Sequence, residues 1–133
     1  MASVRALRSA VIGTPMTLPD AVLESFPELR TARYRRGGLP LRIGGWLLGA
    51  RSVAGITLWN TIFLAPDSRI DAELLLHELA HVRQFEASRA FPVLYILESL
   101  RVGYRRNRFE LAAQRFAATR LQAARAPSPS PGT

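Results

Sequence analysis

The sequence predicts an α+β fold in which a small antiparallel sheet or hairpin packs on a helical core. Three stretches carry this expectation. GITLWNTIFLAP, residues 55–66, holds two runs rich in β-branched and aromatic side chains. Residues 69–88 follow a capping pattern and place apolar residues on one helix face. From residue 92 to residue 124 apolar side chains recur at helical spacing, in what reads as two further helices.

Taken in order, the N-terminal MASVRALRSAVIGTPMTLP carries two arginines, but Gly13 and Pro15 break its apolar run. It makes a poor secretory signal, and a cytoplasmic location is expected. Pro19 to Leu29 reads as a short helix with Leu18, Val22, Leu23, Phe26 and Leu29 on one stripe, interrupted by Pro27. Ala32 to Arg36 alternates like a strand. LPLRIGGWLLGARSV is punctuated by glycine and fits strand, turn or short helix in some order. Ile56 to Trp59 and Ile62 to Leu64 then form a hairpin joined at Asn60-Thr61, or one bent strand, ending at Pro66.

Ser68 and Asp71 are spaced as a capping box for a helix from Arg69 to Ser88. Pro92 opens a second helix whose stripe is Val93, Ile96, Leu97, Leu100 and Tyr104. A third runs from Asn107 to Ala124 with Phe109, Ala112, Ala113, Phe116, Ala117 and Leu121, either continuous with the second or bent away near Gly103. Residues 1–125 read as one domain, and the APSPSPGT tail at 126–133 as disordered.

The net charge of +8 favours acidic partners such as nucleic acid or anionic lipid. All 18 basic residues are arginine, which points to codon bias, and they are scattered apart from clusters at Arg33, Arg35, Arg36 and at Arg101, Arg105, Arg106, Arg108. These read first as solvated surface. The absence of cysteine excludes disulfides and thiolate metal sites. No segment reaches the roughly 20 apolar residues of a membrane span.

Both histidines lie in HELAHVRQ, residues 77–84. On a helix His77 and His81 share one face and can point at one ion, while Glu78 is rotated by about 100° and stands beside it. That arrangement suits zinc bound by two imidazoles, with Glu78 as general base toward water polarised by the ion. Leu75, Leu76, Leu79 and Val82 supply the core face of the same helix. A catalytic zinc keeps three protein ligands and one open position. With no other histidine and no cysteine, the third ligand is a carboxylate, and Glu86, Glu98 and Glu110 are the downstream candidates. Glu86 lies too far along the motif helix, whereas Glu98 has a place on the second helix. Glu110 is the best placed, because Ala112, Ala113 and Ala117 allow its helix to approach the motif helix closely.

His77-Glu78-x-x-His81 followed by a glutamate on a later helix resembles the gluzincin zinc metallopeptidases. HELAHVRQ after GITLWNTIFLAP, with Gly103, Tyr104, Asn107, Glu110 and Ala113 downstream, is similar to their small bacterial, minigluzincin-like branch over about residues 50–117. The resemblance implies zinc held by His77, His81 and Glu110, with Glu78 as general base and acid. It also implies a peptide or protein substrate paired with an edge strand comprising Ile56, Thr57, Leu58, Trp59, Ile62 and Phe63. Gln114 departs from the family pattern, in which some members carry an aspartate that orients a histidine; a neutral amide there implies weaker support for the ligand. Tyr104 is a candidate oxyanion donor or a packing residue, Asn107 a helix cap, and Trp46 and Trp59 core or hairpin cover. Two other functions fit the sequence: a catalytically idle zinc-binding interaction module, and an arginine-rich nucleic-acid binder.

Overall fold

The structure, a computed structural model, describes residues 3–47 and 54–127. Its first helix, α1 (Val4–Ile12), opens on Ser3, whose Oγ accepts the Ala6 N–H at 3.2 Å. It ends at Gly13, where φ is 68° and an added Cβ would meet the carbonyl oxygens of Arg36 and Gly37 at 2.6 Å. Glycine is what lets the chain turn so close to β2 (Arg33–Arg36) and enter β1 (Thr14–Met16). The single helix expected from Pro19 to Leu29 is two pieces, α2 (Asp20–Ser25) and a 3-10 turn (Pro27–Thr31). Pro27 has no N–H with which to continue α2.

The stretch after β2 resolves as a helix, α3 (Leu39–Leu47), and the remainder of LPLRIGGWLLGARSV up to residue 53 lies outside the described residues. The hairpin is present as β3 (Gly55–Leu58) and β4 (Thr61–Leu64). Its turn is Trp59-Asn60, one residue earlier than Asn60-Thr61, with Trp59 at φ 52°. The sheet order is β1-β2-β4-β3, and β2 pairs with β4 in parallel, so the sheet is mixed where an antiparallel one was expected. Ile62, Phe63 and Leu64 are all buried, and a consecutive apolar run belongs in a strand covered on both faces. Ile62 and Phe63 are therefore interior strand residues; of the two hairpin strands only β3 keeps a free edge among the described residues.

The motif helix, α4 (Ala72–Ala87), begins later than Arg69 because Asp71 is its cap, accepting the Glu73 N–H at 2.9 Å. Ser68 instead donates to the Ala54 carbonyl at 2.9 Å. α5 (Phe91–Val102) follows and stops at Gly103, where a 3-10 turn (Tyr104–Arg106) leads into α6 (Arg108–Arg125). The second and third helices are thus separated by a bend. Leu29, Ile62, Leu64, Leu75, Leu76, Leu79 and Val82 form the core between sheet and α4, while Ala113 and Ala117 let α6 pack against it. The α5 stripe differs from its expected core role: Val93, Ile96, Leu97 and Leu100 are exposed, and α5 is anchored by Phe91 and Tyr95 instead. From residue 128 the proline-rich tail lies outside the described residues.

Two of the clustered arginines are structural. Arg35 donates to the carbonyls of Ile12 and Gly13, at the C-terminal end of α1. Arg36 donates to the carbonyls of Ala65 (2.9 Å) and Ser68 (3.1 Å), and so holds the loop into α4. Arg120 of α6 donates to Glu28 at 2.5 Å and lies over the Phe26 ring, joining the last helix to the first third of the chain. Burial acts to raise the Glu28 pKa, but the Arg120 hydrogen bond and charge outweigh it, and the carboxyl sits below its ordinary 4.5. Arg120→Ala should cost about 1 kcal/mol at neutral pH, or roughly 3–5 °C in Tm. Because folding depresses the Glu28 pKa, its contribution is present above the ordinary value and is lost as pH falls through the lowered one. Circular dichroism melts of the two proteins should therefore differ less in acid than at neutral pH, with the contact of Arg120 on the Phe26 ring remaining.

Candidate metal centre

One turn apart on α4, His77 and His81 direct their Nε2 atoms to the same point, 3.2 Å from each other. Glu110, in the first turn of α6, meets both: Oε2 lies 2.9 Å from His77 Nε2 and Oε1 lies 3.1 Å from His81 Nε2. A four-coordinate ion with bonds of about 2.1 Å spaces its donors by about 3.4 Å. One donor atom from each of the three residues lies within 4.8 Å of the other two, so they could hold a metal ion.

Glu110 is 3% exposed and His81 7% exposed. Burial alone would push the Glu110 carboxyl up. Hydrogen bonds from His77, His81 and Tyr95 outweigh that and hold it well below the usual carboxylate range. The Tyr95 hydroxyl donates to Glu110 Oε1 at 2.6 Å. Burial first, then the Glu110 charge, pushes this phenol far up, which keeps it a protonated donor. For His81 burial disfavours the imidazolium, but the Glu110 hydrogen bond and the Glu78 charge more than offset it, and its pKa is raised.

Gln84 determines which nitrogen of His81 is free. Its Nε2 donates to the Phe109 carbonyl at 3.0 Å, which turns Oε1 toward His81 Nδ1 at 2.8 Å. An amide oxygen only accepts, so Nδ1 carries a proton; in the neutral imidazole this leaves Nε2 as the lone-pair nitrogen a metal would take, whereas the hydrogen bond from Nε2 to Glu110 belongs to the imidazolium. This is the orienting role considered for Gln114, which is exposed and away from both histidines' hydrogen bonds. Phe91 and Tyr95 enclose the His81 ring, at centroid distances of 6.4 and 6.0 Å.

Glu78 stands outside the metal-ligand set. It is 5% exposed, and the Thr57 hydroxyl of β3 donates to its Oε2 at 2.7 Å. A Cβ on Gly55 would lie 3.3 Å from Glu78 Cγ, so glycine leaves room for this carboxylate against β3. Burial raises its pKa, against the lowering effect of His81 and Thr57. Glu78, His81 and Glu110 line a cleft of about 390 Å³, whose walls include Ile56 and Leu58 of β3, Phe85 of α4, and Ile96 and Leu100 of α5.

The remaining residues divide clearly. Tyr104 lies at the cleft, 40% exposed, with its phenol pushed up chiefly by burial. Asn107 is fully buried: its Oδ1 caps α6 through the Phe109 N–H, while its Nδ2 donates to the Tyr95 carbonyl and Ser99 Oγ. Glu98 pairs with Arg101, and Glu86 is exposed, so neither joins the cluster. Trp59 is 67% exposed, with its ring centroid 5.7 Å from that of Phe85; the side chain of Trp46 is not among those described. Sequence reasoning missed Tyr95 and the contact of Thr57 with Glu78. Gln84 was within reach of it, one turn beyond His81 on the same helix face.

Gln84→Ala and Tyr95→Phe should each weaken metal binding by about 10- to 100-fold, measured by chelator competition, whereas Gln114→Ala should leave it unchanged. No protein-family model matches the chain, and searches of curated proteins and of solved structures find no significant match.

Proposed function

We propose that the protein is a zinc-dependent peptidase of the gluzincin type. The observation that carries this reading is Glu78: a buried carboxylate outside the ligand triad, with its pKa raised, fixed beside the triad in an apolar cleft. Two imidazoles and one carboxylate are the donor set of catalytic zinc sites that keep a position open. Zinc, when bound, supplies Lewis acidity toward the substrate carbonyl and makes a water acidic at neutral pH. Glu78 would serve as the base toward the attacking water and then as the acid toward the leaving amine nitrogen. Thr57 holds the carboxylate in place through both events. The protonated phenol of Tyr104 is available to the developing oxyanion.

The substrate is an extended peptide paired with the free edge of β3, where Ile56 and Leu58 are half-buried beside the cleft. The nucleic-acid alternative is weakened because Arg35 and Arg36 are engaged by backbone carbonyls. Purified protein should contain about one zinc per chain and cleave members of a broad peptide library. Glu78→Gln should keep the zinc and lower kcat/KM by about 100- to 10,000-fold. Glu110→Ala should lose the metal and Glu98→Ala should keep it. Undiminished cleavage by Glu78→Gln defeats the mechanism, unchanged zinc in Glu110→Ala defeats the ligand set, and zinc without any cleavage leaves a metal-binding interaction module.

A further inference from the structure

α5 turns its apolar stripe outward. Val93, Ile96, Leu97 and Leu100, at helical spacing, are 60%, 55%, 56% and 79% exposed. Exposed arginines flank this stripe: Arg89 before it, and Arg101, Arg105, Arg106 and Arg108 after it. Over residues 86–109 the only acidic side chains are Glu86 and Glu98, and Glu98 is paired with Arg101. A similar pattern recurs in α1, where Val4 and Leu7 are 84% and 62% exposed beside exposed Arg5 and Arg8, with no acid in the helix. α1 packs on α3, which presents exposed Leu39, Arg42 and Ile43, and α3 and α5 both contribute to the metal-site cleft through Gly44, Ile96 and Leu100.

We propose that the α5 face docks on an anionic phospholipid surface, with α5 lying in the plane of the interface. An apolar stripe bordered by arginine suits that boundary, because the side chains enter the acyl layer while the guanidinium groups meet the headgroup phosphates. No helix among the described residues is long and apolar enough to cross a membrane, and the contact proposed is a peripheral one. Charge also argues against a second copy as the occupant. A two-fold interface sets the same patch against itself, and would bring the arginines of both copies together. Docking through α5 brings the cleft, which shares Ile96 and Leu100, to the lipid surface. The inference stands independently of the zinc reading.

The test is co-sedimentation of the full chain with phosphatidylcholine vesicles, with and without phosphatidylserine, at low and high salt. Binding is expected only with phosphatidylserine, and should weaken as salt rises. Arg105→Gln/Arg106→Gln should weaken it about 25-fold, fivefold for each charge. Val93→Gln/Leu97→Gln, which alters neither the ligands nor the residues lining the cleft, should weaken it by about tenfold or more. The proposal is overturned if wild type fails to bind phosphatidylserine vesicles, or if the apolar double variant binds as wild type does. It is equally overturned if light scattering shows a dimer that this variant abolishes, since the face would then join two copies.

Discussion

The crossing of α4 and α6 is built around one buried carboxylate. Removing Glu110 from water costs several kcal/mol as an isolated charge, so the site exists only because the surroundings return those interactions. Two imidazoles and the Tyr95 hydroxyl converge on its oxygens. Their convergence demands that α6 approach α4 closely, which Ala113 and Ala117 permit, and that α5 bring Tyr95 alongside. Asn107 serves all of these at once: it caps α6 one turn before the carboxylate and binds the Tyr95 carbonyl on α5. A group that both starts the helix bearing Glu110 and fixes the helix bearing its hydrogen-bond donor makes the three-helix junction a single unit.

The same junction sets the chemistry of the histidines. Neutral imidazole has two tautomers, and only one presents Nε2 as a lone pair. For His81 the choice is made by the Phe109 carbonyl, acting through the Gln84 amide, at the point where α6 begins. Ligand readiness in α4 is therefore tied to the start of α6, the helix that brings Glu110. Helix packing and the orientation of the imidazoles are here one constraint, and the aromatic side chains of Phe91, Tyr95 and Phe109 close over it.

Much of this was legible in the sequence, because helical periodicity is local. His77, Glu78 and His81 acquire their relative directions from α4 alone, and the candidate list for a third carboxylate is short once cysteine and further histidine are absent. What was hidden depends on partners distant in the chain. β2 pairs with β4 across the α3 segment, so the parallel register and the interior position of Ile62 and Phe63 have no local signature. The outward stripe of α5 follows the same apolar spacing as a core helix, and only the anchoring of Phe91 and Tyr95 on the other side reverses the inference. Thr57 read as a strand residue like any other until β3 and α4 were seen in contact.

α4 belongs to two frameworks at once. On one side Leu75, Leu76, Leu79 and Val82 are sealed against the sheet core, and on another His77 and His81 face Glu110. Glu78 sits at the seam: its backbone is part of the helix that carries the ligands, but its carboxylate is held by Thr57 on β3. Its distance to the cluster is thus controlled by how β3 seats on α4, with Gly55 leaving the space that a side chain there would take. Because α3 crosses β3 with Gly44 against Ile56, the N-terminal half bears on the same strand. The residues with no recognisable motif thereby bear on the seat of the Glu78 carboxylate, while the motif itself sets the directions of His77 and His81.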